Sequence, residues 1–184
     1  TYFSQEIPVI SDNSEFANSF EISKFKKLST KSNSIGKISF YAKTITGLSD
    51  DVRISKRLNI PTKKLRGFQK GRVGPVDNKD YVGGNHVSSL NLSATLPNVF
   101  EGLDNLDIGV FFDAANIWGV DYNSSLDDKS KIRSSSGVAF NLMTPIGPLS
   151  FSFANALTKA SSDQTETFRF SLGTQFWWDL LLKK

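Results

Sequence analysis

Three observations in this 184-residue sequence predict an all-β protein, an antiparallel up-and-down transmembrane β-barrel wall of eight strands. Apolar side chains recur at every second position in segment after segment. Short turns alternate with long polar connections, and no run approaches the roughly 18 to 20 apolar residues of a membrane-spanning helix.

The alternation is cleanest in the C-terminal half. Leu106, Ile108, Val110 and Phe112 interleave with Asp107, Gly109, Phe111 and Asp113, and Val138, Phe140 and Leu142 interleave with Gly137, Ala139 and Asn141. Leu149, Phe151 and Phe153 alternate with Ser150, Ser152 and Ala154, and Phe168, Phe170, Leu172 and Phe176 with Arg169, Ser171, Gly173 and Gln175. Successive side chains on a strand point to opposite faces, so each segment has one large apolar face and one small or polar face. A water-soluble, lipocalin-like barrel would fill its interior with the large apolar set; a wall facing lipid reverses this, and the pattern favours the wall. Four further strands, at about 2–9, 16–25, 35–46 and 87–96, complete the eight.

The connections follow the same logic. Thr144-Pro145-Ile146-Gly147-Pro148 reads as a tight turn, because proline fixes φ and glycine accepts the positive φ that short turns demand. Residues 27–34 form a polar turn, whereas 119–135 and 158–166 are longer and charged. The connection at about 47–85 is far beyond ordinary loop length, and Pro61, Gly67, Gly71, Gly74 and Pro75 indicate a folded loop of irregular backbone. An even strand count places both ends of the wall on the short-turn side.

Composition narrows the chemistry. Lys+Arg 22 against Asp+Glu 18 leaves a formal charge of +4, and 39% hydrophobic residues make the chain too apolar for disorder. With no cysteine and one histidine, disulfides, thiol nucleophiles, cysteine zinc sites and multi-histidine centres are excluded, so neither metal nor cofactor is expected. A catalytic site around His86 would lack an oxyanion hole and a nucleophile elbow, and no enzyme is predicted. Thr1 is followed by no basic and apolar leader, which reads as a mature chain or a fragment. The loop cations could meet lipid phosphate, but nucleic-acid binding is not expected from so small a surplus without stacking motifs.

Several motifs resemble one family. Leu65-Arg66-Gly67-Phe68, followed by Gly71-Arg72-Val73-Gly74-Pro75, resembles the VRGF/Y signature that BamA-type outer-membrane assembly proteins carry in their sixth extracellular loop. Val82-Gly83-Gly84-Asn85 is similar to the double glycine that opens the family's next strand. Phe111 to Trp118 resembles its aromatic-Asp strand, 136–149 its penultimate hairpin, and Phe168 to Phe176 its terminal strand. The resemblance implies a sixteen-stranded barrel behind POTRA domains that inserts other barrels without nucleotide hydrolysis. The chain would supply the last eight strands, three before the long loop and five after it, so that residues 1–184 form one barrel domain.

The resemblance also implies roles. The loop folds into the lumen, where Arg66, Gly67 and Phe68 anchor it and Asp113 receives Arg66, whose planar guanidinium can hold a carboxylate bidentately. The family's second acidic partner falls near Ser93, where this chain has no carboxylate. The residues alone also allow Arg66 to be one solvated cation among Lys56, Arg57, Lys63, Lys64, Lys70 and Arg72. Gly173 marks either a seam that can open or room for a neighbouring aromatic ring. Phe176 resembles the family's terminal aromatic, and 177–184 form an extension suited to the membrane interface or foreign to the natural chain. Implied partners are outer-membrane lipids, unfolded barrel precursors that add at the strand edge, assembly-complex lipoproteins and a second copy of the chain. The implied location is the outer membrane of a Gram-negative bacterium. The rival reading is a small self-closed or homodimeric barrel with a structural or passive-pore role.

Overall fold

A computed structural model of the chain describes residues 1–6, 15–29, 33–97, 105–126, 130–145 and 147–172. The wall strands are β1 (Tyr2–Glu6), β2 (Glu15–Lys27), β3 (Ile35–Gly47), β6 (His86–Pro97), β7 (Leu106–Trp118), β8 (Arg133–Thr144), β9 (Gly147–Thr158) and β10 (Phe168–Leu172). They form one eight-stranded antiparallel sheet in the order β1-β2-β3-β6-β7-β8-β9-β10, so that β1 and β10 are its two edges. Between β3 and β6 the long loop carries a single 3-10 turn (Ile54–Lys56) and a small hairpin of β4 (Val76–Asp77) and β5 (Asp80–Tyr81). Among the described residues no helix is long and apolar enough to cross a membrane.

All eight expected strands are present, with altered bounds. β7 runs to Trp118, where the expected 119–135 connection begins, but β8 begins at Arg133, which shortens that connection. β7 stays paired with β6 through Trp118 and with β8 through Ala115. Residues 7–9 of the first predicted strand, and Gly173, Phe176 and the 177–184 extension, lie outside the described residues.

The two faces separate as the pattern requires. On the outward face Ile38, Phe40, Leu92, Val110, Phe153 and Phe170 stand exposed, Phe170 by 51%. On the inward face Ala17, Ser39, Ile45, Ser89, Asp113, Ser135 and Ala154 are buried. What buries them is the long loop: Ile60, Leu65, Phe68 and Val73 pack against Val87, Ala115 and Ile117 of the wall. The hydrophobic core thus lies between loop and inner face.

The register reveals strand tilt. The cross-strand row Phe20, Ala42, Ser88, Asn116 starts apolar on β2 and turns polar on β6. The row Phe168, Phe153, Val138, Val110, Ala94, Gly36, Lys26 starts apolar on β10 and ends at a charge on β2. An apolar belt that crosses the hydrogen-bonded rows diagonally is what inclined strands of a barrel present to a flat membrane.

Candidate functional site

The candidate site is the junction between the long loop and the inner wall. Asp113 sits on the inward face of β7, fully buried, opposite Asn91 on β6. Arg66 meets it with both ends of its guanidinium, Nε to Oδ2 at 2.7 Å and Nη2 to Oδ1 at 2.8 Å, and its backbone N–H donates to Oδ2 at 3.1 Å. Asn91 Nδ2 donates to Oδ1 at 2.8 Å and also to the Lys64 carbonyl at 2.8 Å. The guanidinium lies 3.4 Å from the centre of the Phe111 ring, adding a cation–π contact to the ion pair. Ser135 Oγ, on β8, donates to the Arg66 carbonyl at 2.5 Å.

The next residues explain how the loop lies so close to the wall. Gly67 has φ +84°, and a Cβ there would meet Ala154 Cβ at 3.0 Å and Ser135 Cβ at 3.3 Å. Only glycine takes that backbone without strain at such proximity. Phe68 is buried in the core and forms an antiparallel bridge with Thr165 of the last loop. Arg169, inward on β10, donates to the Thr62 carbonyl at 2.8 Å and the Phe68 carbonyl at 2.5 Å, and also pairs with Glu166. Gly83 and Gly84 precede β6; Gly84 exchanges backbone hydrogen bonds with Leu58, and a Cβ on Gly84 would meet the Trp118 carbonyl oxygen at 2.5 Å.

Two further ion pairs tie the outer connections together, and neither was foreseen. Arg133 and Asp163 are both fully buried and paired at 2.9 Å, and Asp163 also accepts from Gly74 N at 3.1 Å and Ala160 N at 2.6 Å. Arg57 pairs with Asp121, which also accepts from Val52 N at 2.7 Å and Asn85 Nδ2 at 3.0 Å. Burial pushes the Asp121 carboxyl up, but the hydrogen bonds from Asn85 and Val52 and the charge of Arg57 together hold it below its ordinary range. Arg133 shares inward parity with Ser135, a signal that was present in the sequence. Asp163 lies in a loop without periodicity and offered none. The acidic partner expected near Ser93 is replaced by a neutral one at Asn91, since it is Asn91 that the register places opposite Asp113.

Lys64 also leaves the solvated cluster, pairing with Glu21 at 2.5 Å and lying over the Tyr41 ring. Arg57, Lys64 and Arg66 therefore share a pattern, loop cations each set against a carboxylate of the wall or of an adjoining connection.

With that geometry in place, comparison with known proteins is decisive. The profile of the Omp85 superfamily domain matches residues 1–176. The chain belongs to the Omp85 superfamily. This Omp85 chain is 29% identical over 141 residues to the outer membrane protein assembly factor BamA of Neisseria meningitidis serogroup B, covering 61% of the chain and 17% of that protein. It is 27% identical over 116 residues to BamA of Neorickettsia risticii, covering 61% of the chain and 16% of that protein. The crystal structure of BamA from Haemophilus ducreyi lacking POTRA domains 1-3 superposes with a TM-score of 0.82 at 25% identity, over 94% of this chain and 37% of that one. The Omp85 chain spans about a sixth of the length of the curated relatives it matches. It is a BamA-type β-barrel wall of the bacterial outer membrane.

Proposed function

We propose that the chain is the barrel portion of an outer-membrane protein insertase, in which a pinned loop steadies the wall and a free strand edge receives barrel precursors. The observation that carries this reading is the bidentate seat of Arg66 on buried Asp113, because a loop held so firmly to the inner face keeps the wall shaped while its edge stays open. No bond is made or broken. An open edge in hydrocarbon leaves backbone N–H and C=O groups without partners, at several kcal/mol each, and an incoming strand that satisfies them is stabilised by the same amount. Within the described sheet β10 pairs only with β9 and β1 only with β2, so each offers such an edge. In this reading Gly173 and Phe176 keep the seam and terminal-aromatic roles that the resemblance implies, and Gly83 and Gly84 let the loop return closely to the start of β6. Barrel precursors, outer-membrane lipids and assembly lipoproteins are the partners.

The test reconstitutes the chain in liposomes and times the folding of an unrelated barrel precursor. Acceleration, weakened by Arg66→Ala, is the expected result. An unchanged rate sinks the insertase and favours the self-closed or homodimeric barrel of passive role.

A further inference from the structure

Charged residues divide unevenly between the faces of the wall. Glu21, Lys37, Lys43, Asp113, Arg133 and Arg169 all have inward parity. Among the described wall residues only Lys24 and Lys26 place charge on the outward face, beside Ile38 and Gly36. Both are exposed. A lysine facing lipid is costly at the bilayer midplane and nearly free of cost at its boundary. These two stand at the end of β2 next to the short connection 28–34, on the side of the sheet that outer-membrane barrels turn toward the periplasm.

Beside them an open groove of about 660 Å³ runs along the membrane face. Its floor is Ala94, whose small side chain leaves a dent in an otherwise bulky surface, while the Leu28 side chain lies over the neighbouring Gly36 and walls the dent on that side. Ile38, Leu92 and Phe112 rise along one side, and Val110 closes the row that Lys26 begins. Apart from the two ammonium groups, no outward side chain of this lining carries a hydrogen-bonding group. That suits a hydrocarbon chain with an anionic head and would leave a polar protein partner unsatisfied.

We propose that this groove binds an anionic glycerophospholipid of the periplasmic leaflet, one acyl chain lying over Ala94 between Leu28 and Ile38 and the phosphate held by Lys24 and Lys26. The proposal rests on the membrane-wall reading and adds a specific lipid site to it. Lipopolysaccharide carries phosphate too, but it occupies the opposite leaflet, on the side of the long connections.

The test refolds the chain in detergent, offers phosphatidylglycerol, phosphatidylethanolamine or lipopolysaccharide, and reads retained lipid by native mass spectrometry. Phosphatidylglycerol should be retained in preference to phosphatidylethanolamine. Lys24→Gln with Lys26→Gln should weaken its binding roughly thirtyfold, the effect of two lysines at an anionic membrane surface, and the paired arginine variant should keep it. Ala94→Phe fills the floor without touching the cations and should lower retention of both phospholipids. Equal phosphatidylglycerol binding by the natural chain and the double glutamine variant overturns the site, and an unaltered Ala94→Phe variant overturns the acyl seat. Displacement by lipopolysaccharide through the same lysines overturns the leaflet assignment. A chain that folds without taking up any detergent or lipid sinks the membrane wall itself, a failure visible before any variant is compared.

Discussion

Arg66 and Asp113 form a junction in which each partner depends on the other. Asp113 is wholly buried and accepts from Arg66 Nε, Nη2 and backbone N and from Asn91. Removing the guanidinium leaves a buried carboxylate short of its charge partner, a loss of about 3–5 kcal/mol for such pairs. Arg66→Ala and Asp113→Ala should each destabilise by that order, and the double variant by little more than either, in urea unfolding followed by gel mobility. Additive losses would refute the coupling. Arg66→Lys should restore only part, since a single ammonium cannot span both oxygens. At Asp121 the folded-state pKa lies below that of the unfolded chain, so its contribution is present above the unfolded value and is lost as pH falls through the folded one. Protease nicking of the 48–85 loop should therefore rise on acidification below the ordinary aspartate range, and Asp121→Asn should flatten that dependence. At this scale the Arg66 and Asp113 contact could be read from motif and parity together. Asn91 could not, because pairing across β6 and β7 depends on a register that parity alone leaves free.

Strands and loop hold one another at fixed spacing. Gly137 of β8 shows how tight this is, since a Cβ there would meet the Phe153 carbonyl oxygen at 2.0 Å and Phe111 Cζ at 2.8 Å. The first of these neighbours is backbone and cannot yield, so Gly137→Val should force β8 from β9 and cost about 1–3 kcal/mol, as overpacking does, measurable as a lowered urea midpoint. Strand positions were legible because Phe, Leu and Val alternate with Ser, Gly and Asp at full contrast. Inside the loop the same reading recovered a folded, irregular path from its glycines and prolines but missed the β4–β5 hairpin. That hairpin turns through Asn78 and Lys79, both at positive φ. Lysine seldom takes that conformation, so the sequence carried no asparagine–glycine signal to announce it.

For the whole molecule the decisive quantity is which face meets lipid. Val110 lies mid-strand on the outward face and is 46% exposed. Val110→Arg should cost about 2–4 kcal/mol near the midplane, whereas Ser150→Lys on the inward face should stay near neutral, both read by equilibrium folding into phospholipid vesicles. Equal costs at the two positions would contradict the assignment of faces. The polarity of the faces was plain from period two, but the openness of the sheet among the described residues was not, because whether β1 meets β10 depends on contacts between residues far apart in sequence. The diagonal course of the greasy belt carries a consequence for growth. Under the proposed function, a strand adding to β10 would not settle level with Phe168; to keep its own oily stretch in the bilayer it would dock against the Leu172 end, a notch further along. Membrane depth, rather than sequence matching, would thus choose its alignment.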